Sequence, residues 1–190
     1  MKFSRQMSRE SSKFNEATGR RQQLARGVPF LSSVSPRVSV AFCHRLMPSI
    51  SRLPPSALRF IRAARVAHLA TAAVDHQPHV VPICFVFDGK HFYSPIDEKP
   101  KRTSPAKLKR VTNILANAQA ALVIDRYSED WKRLAYVLIR GKAKILHRGA
   151  AHAKAVRRLR RKYPQYRKMA IHTRPMIRIT PIRWSFWGNP

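Results

Sequence analysis

From Ser56 onward, short apolar runs alternate with polar punctuation, and the period of those runs changes from segment to segment. Ser56, after Pro54-Pro55, is placed to cap a short helix over 57–65 with Leu58 and Ile61 on one face. Residues 66–74 then read as a strand, Asp75-His76-Gln77 as its turn, and 78–87 (PHVVPICFVF) as a second strand rich in β-branched residues. Asp88-Gly89 is a strong hairpin signal, answered by a third strand over 90–94. Ser104-Pro105 pairs a capping residue with a proline at the first helical position. The helix it starts runs to about Asn117, with Leu108, Val111, Ile114 and Leu115 on its buried stripe. A fourth strand over 120–125, a loop over 126–133 and a long fifth strand over 134–146 follow, with Gly141 as a bulge or bend. A basic helix over 149–162 is stopped by Pro164, and 176–182 is the sixth strand.

Strands joined by tight turns run antiparallel, which excludes a doubly wound parallel sheet. The order helix, three strands, helix, two strands, helix, strand predicts an α+β, mainly β fold. It is expected to be a six-stranded antiparallel barrel flanked by helices. Residues 1–50 lack this regularity: they are rich in Ser, Arg and Gln and keep neither helical nor strand period. They read as a disordered or non-native extension, with Met47 as an alternative start, or as an Arg-rich, acid-poor transit segment. The folded domain is expected over 51–190.

Composition narrows the classes. The 190 residues are 44% hydrophobic, enough for a core, yet no run reaches the roughly 18 apolar residues of a membrane-spanning helix. Two cysteines, Cys43 and Cys84, exclude a disulfide scaffold and a four-cysteine zinc site, and a reducing cytoplasm is the expected location. The net charge is +29, and the last sixty residues hold seventeen basic side chains and no acid. Such a field attracts any polyanion without choosing one.

The eight histidines form no HxxxH or HExxH pattern, and His76 and His79 straddle a turn. Cys84 lies within an apolar strand and reads as a core-packing residue, not a reactive thiol. Asp97-Glu98 and Glu129-Asp130 sit among basic residues and read as solvated loop charges. The residues themselves name no catalytic side chain. Lys99, Lys101, Arg102, Thr103 and Ser104, followed by Lys107, Lys109 and Arg110, precede or open the second helix. Free amides, hydroxyls and cations at one point describe a phosphate site; a solvated basic loop is the other reading. No Gly-rich nucleotide loop is present. The basic helix 149–162 lacks a helix-turn-helix partner, so a specific nucleic-acid role is not expected.

RVAHLAT (65–71), PHVVPICF (78–85), DEKPKRT (97–103), NILAN (113–117), DRYSEDW (125–131) and RWSFW (183–187) occur in this order over residues 55–187. In order and spacing they resemble the pyridoxamine-5′-phosphate-oxidase-like split-barrel family, and more narrowly its probable coenzyme F-420-dependent oxidoreductases. The resemblance implies a homodimer of split β-barrels with a deazaflavin, coenzyme F-420, or else FMN, in grooves at the subunit interface. It implies backbone contacts to the ring from His79, Val80, Val81, Pro82 and Ile83, with Tyr93 and Ser94 near the ribityl chain. Lys101, Arg102 and Thr103 would hold the phosphate, Lys107 and Arg110 would assist, and Trp187 would reach the partner subunit's ring. The implied activity is hydride transfer to a small-molecule acceptor; a flavin- or haem-binding module without turnover is the alternative. PHVVPICF contains no basic residue and the chain end shows no pyridoxal-phosphate-binding Arg–His arrangement, so vitamin B6 oxidation is not implied.

Overall fold

Two residues, Cys84 and Phe85, decide the architecture. In the computed structural model, which describes residues 50–98, 104 and 107–190, the expected strand 78–87 is two strands: β2 (Pro78–Ile83) and β3 (Val86–Phe87). The others are β1 (Ala67–Ala72), β4 (Phe92–Pro95), β5 (Gln119–Arg126), β6 (Ala135–Leu146) and β7 (Met176–Gly188). They form one sheet of order β2-β1-β5-β6-β7-β4-β3, antiparallel throughout. β2 and β3 are the two edges of that sheet, yet three residue steps span at most about 10 Å. The sheet therefore curls until its edges meet, and the segment 83–86 passes from one to the other. This is the expected antiparallel split barrel, with seven strands instead of six because PHVVPICFVF is broken at its middle. Expectations for residues 1–49 and for Lys99 to Thr103 lie outside the described residues.

Inward-facing side chains alternate along β1, β5 and β6. Ala67 and Leu69, Leu122 and Ile124, Val137 and Ile139, Ile177 and Ile179 fill the barrel with Phe85, Phe87 and Phe92. Phe87 stacks on Phe92 at 4.6 Å between ring centres. The Asp88-Gly89 turn forms as its chemistry dictates: Gly89 takes φ +100°, and Asp88 Oδ1 accepts the amides of Lys90 at 2.8 Å and His91 at 2.7 Å. The register of β6 on β7 shifts between Arg140 and Gly141. A Cβ on Gly141 would collide with the Thr180 carbonyl oxygen, so the expected bulge requires glycine. The same bulge seats Pro181 opposite Gly141, where a proline costs no ladder bond. That is why β7 continues to Gly188 instead of stopping at 182.

Three helices pack on the barrel: α1 (Pro55–Ala63), α2 (Lys109–Ala116) and α3 (Ala150–Lys162). α1 starts at Pro55 and takes no side-chain cap, so Ser56 lies in its first turn instead of capping it. α2 starts later than Ser104-Pro105 indicated; Leu108 is its N-cap. It buries Val111, Asn113 and Ile114 and leaves Leu115 exposed, because its inward face meets a polar partner, Thr71, on β1. Among the described residues no helix is long and apolar enough to cross a membrane.

A second core lies under α3, built from Val86, Tyr93, Leu159, Tyr163, Tyr166 and Met176. Its centre is the Tyr163 hydroxyl. It accepts the Phe85 amide at 3.0 Å and stands 2.8 Å from the carbonyls of both Phe85 and Arg65. The backbone groups that β2 and β3 leave unpaired at their junction are thereby satisfied by a side chain.

Candidate functional site

β2 presents its residues to two sides. Val80 and Pro82, opposite Ala70 and His68 on β1, point to the outer face of the sheet and are exposed. Val81 and Ile83 point toward the core, half-buried and buried. The outer face continues across β5 and β6 with Ala121, Val123 and Leu138 and ends at Tyr136 and Trp187. Small and apolar residues thus cover part of this sheet face, with His68 and Asp125 (Nδ1 to Oδ1, 3.3 Å) as a half-exposed polar pair; Arg140, opposite Ala121, and Arg183 beside it share the face.

His79 shares the inward parity and lies opposite Thr71. Its Nδ1 is buried and has no hydrogen-bond partner among the described residues. Burial, then the charges of Arg110 and Lys109, push its pKa below the usual histidine value, so the ring is neutral near pH 7. Arg110, in the first turn of α2, is half-buried; burial lowers its pKa more than the neighbouring Asp97 raises it. The helix that carries both cations is fixed to β1 by a buried bond, Asn113 Nδ2 donating to Thr71 Oγ1 at 3.1 Å. At the other end of the loop, Asp97 Oδ2 accepts the Tyr166 hydroxyl at 3.4 Å and Glu98 lies 3.8 Å from Arg174. The chain entering residues 99–103 is anchored on one side by these contacts and the chain leaving them by α2.

Of the residues implied by resemblance, the fold brings His79 and Arg110 into one electrostatic neighbourhood on the inward side of β2, across the strand from the exposed Val80 and Pro82. Lys107 is exposed in a short turn, its amide donating to the Ser104 carbonyl at 3.0 Å. Tyr93 does not line this face: it is buried under α3 with its hydroxyl on the Asp88 carboxylate, and burial followed by that carboxylate raises its pKa. Ser94 is buried on the opposite side of β4, paired with Ile177. Lys101, Arg102 and Thr103 lie outside the described residues. Trp187 is 53% exposed and stacks on Tyr136 at 6.4 Å, bordering a groove of about 450 Å³ with Arg126, Tyr127 and Leu134. It lies on β7, four strands along the sheet from β2.

Lys109 and the Asn113–Thr71 bond are the site features the sequence pattern underweighted. Lys109 directly precedes Arg110 and Asn113 lies three residues after it, but a buried asparagine has no signature in a hydrophobic pattern. Among the described residues no cluster of metal-ligating side chains occurs. The site joins two cations, Lys109 and Arg110, to the inward side of an edge strand whose outer side exposes Val80 and Pro82.

Comparison with solved structures agrees with the fold. The conserved hypothetical protein Rv2991 from Mycobacterium tuberculosis aligns over 75% of this chain and 89% of its own, at 19% identity and TM-score 0.58. HutZ, the haem storage protein from Vibrio cholerae, aligns over 72% and 94%, at 14% identity and TM-score 0.55. An F420 reductase aligns over 70% and 98%, at 20% identity and TM-score 0.53. At these identities the likeness is one of fold. No curated protein matches the sequence. The family profile of pyridoxamine 5′-phosphate oxidase, however, matches residues 53–188, which is most of the chain and the whole of the barrel just described. The chain belongs to the pyridoxamine 5′-phosphate oxidase family.

Proposed function

We propose that this chain is an oxidoreductase that binds coenzyme F-420 around the edge strand β2 and transfers hydride to a small-molecule acceptor. The observation that carries this reading is the buried, unpartnered Nδ1 of His79 in the field of Arg110 and Lys109, on an edge strand whose other side exposes Val80 and Pro82. A buried polar atom without a partner costs about 1–3 kcal/mol, and a bound polar group would recover it. These residues fit a deazaflavin or a flavin: Val80 and Pro82 offer apolar surface to a ring, and Arg110 and Lys109 offer charge to its phosphate. When bound, such a cofactor supplies the hydride chemistry, and the protein supplies position, polar contacts and exclusion of water. That division of labour explains why no catalytic side chain stands out in the sequence.

F-420 is favoured over FMN on charge. Its lactate and polyglutamate tail adds anions that a chain of net charge +29 attracts, whereas FMN brings a single phosphate. Lys101, Arg102 and Thr103 are proposed as further phosphate ligands. A second copy of the chain is proposed to cover the open face with Tyr136 and Trp187, which are 39% and 53% exposed in one chain.

Equilibrium binding of the full chain to F-420 and FMN, at about 0.15 M salt, tests the reading. F-420 saturating at one per chain supports it, and Arg110→Gln should then weaken binding about tenfold or more. Preference for FMN would keep the site and replace the cofactor; binding of neither would overturn the proposal. The haem storage protein of the same fold makes non-catalytic haem binding the second reading. A haem absorption band, with no turnover of reduced F-420 against electron-poor acceptors, would decide for it.

A further inference from the structure

A second concentration of positive charge lies apart from the candidate cofactor site, in a cleft of about 540 Å³ between α1, β3 and α3. Arg62 enters it from the last turn of α1, and Arg158, Arg161 and Lys162 from the last turns of α3, with Val86 and Phe87 between. The three α3 residues are spaced i, i+3, i+4, which sets them on one face of the helix. Placement near helix C-termini favours cations, but it does not explain why two helices from different parts of the chain aim theirs into the same hollow. Among the described residues, Arg62, Arg158 and Arg161 make no ion pair or hydrogen bond. Among the described residues one acid lines the cleft, Asp88, and it is engaged by the amides of Lys90 and His91. Lys162 is the fixed member: its Nζ donates to the Ala64 carbonyl at 2.6 Å and stands 4.4 Å from the centre of the Phe85 ring. Burial, and then the charge of Arg65, push its pKa down to about 8, as expected for a cation held without a counter-charge.

We propose that this cleft is an anion site for a small molecule carrying two or more adjacent phosphates. Three guanidinium groups present planar forks that match phosphate oxygens two at a time, and Lys162 adds a point charge at the wall. A single phosphate engages one or two such forks, whereas a di- or triphosphate spans all of them. The volume falls within the roughly 300–1,000 Å³ of small-molecule sites, so the phosphates need not be the whole ligand. The site shares no residue with the His79–Arg110 region, so the two are expected to bind independently.

Titration calorimetry of the full chain with inorganic tripolyphosphate, pyrophosphate and orthophosphate, at about 0.15 M salt, is the test. Tripolyphosphate is expected to saturate at one per chain and to bind about tenfold or more tighter than orthophosphate. Arg158→Gln with Arg161→Gln should weaken it about tenfold or more, and exposed Arg62→Gln, made separately, should weaken it in the same direction. Lys154→Gln with Arg157→Gln removes the same charge from the same helix outside the cleft and should change affinity by less than about twofold. Equal losses from both α3 pairs would show only the general field of a basic protein and overturn the site. So would binding that never saturates, or orthophosphate matching tripolyphosphate. A parallel fall in F-420 or FMN affinity in the cleft variants would assign the cations to the cofactor and also overturn it.

Discussion

Replacing Tyr163 with phenylalanine removes a single oxygen, and the structure says what that oxygen holds. Phe85 is fully buried and Tyr163 is 2% exposed, so water does not reach the junction between β2 and β3. The hydroxyl accepts the Phe85 amide at 3.0 Å and, having one proton, donates to either the Phe85 or the Arg65 carbonyl, both at 2.8 Å. Burial pushes its pKa up to about 12, so it keeps that proton at ordinary pH. In the variant the ring still packs on Tyr166 at 5.4 Å and under Arg65 at 4.9 Å, so the cavity contribution is small. What is lost is polar: about 1–3 kcal/mol for the stranded amide and about 0.5–1.5 for the carbonyl bond, together roughly 2–4 kcal/mol. Urea unfolding should show the midpoint fall with an unchanged slope, and the melting temperature should drop by roughly 5–15 °C. A loss below about 0.5 kcal/mol would refute the reasoning, because it would mean the amide finds another partner and the barrel seam does not depend on this side chain.

Three further perturbations follow from the geometry. Gly141→Ala should cost about 1–3 kcal/mol, since the new Cβ meets backbone atoms of Thr180 and Pro181 that cannot retreat without disturbing the β6–β7 ladder; thermal unfolding measures it. Asn113→Leu strands the buried Thr71 hydroxyl and should cost about 1–2 kcal/mol, and adding Thr71→Val should recover part of that loss in a double-mutant cycle. Lys162 has a folded pKa of about 8 against an unfolded 10.5, so between these values the unfolded chain binds more protons. Its contribution to stability therefore rises with pH across that window, and chemical denaturation from pH 8 to about 9.5, below most tyrosine titration, should show a rise that Lys162→Met removes.

What the sequence by itself determined is what adjacent residues decide among themselves. The alternation of apolar positions set β1, β5 and β6 and their inward faces. Asp88-Gly89 set a turn, because an aspartate carboxylate reaches the next two amides and glycine accepts positive φ. Gly141 announced the bulge in a strand otherwise built of side chains. The 97–110 region was legible as a run of cations, and His79 and Arg110 entered as positions that the resemblance implied. Tertiary structure decided the rest. PHVVPICFVF reads as one strand, and only a sheet whose edges meet divides it at Cys84-Phe85, with a tyrosine 78 residues away satisfying the gap. Asn113 looks like a polar interruption until Thr71, 42 residues earlier, is laid beside it, and Leu115 then turns outward. Pro181 looks like a strand end until the bulge at Gly141 supplies a place where no amide is needed. Tyr93 and Trp187 keep their strand positions, but which way each faces follows from the closure of the barrel. Local signals fix periods and turns because their energies act within a few residues; barrel closure, buried polar pairs and converging cations arise between segments that only the folded chain brings into contact.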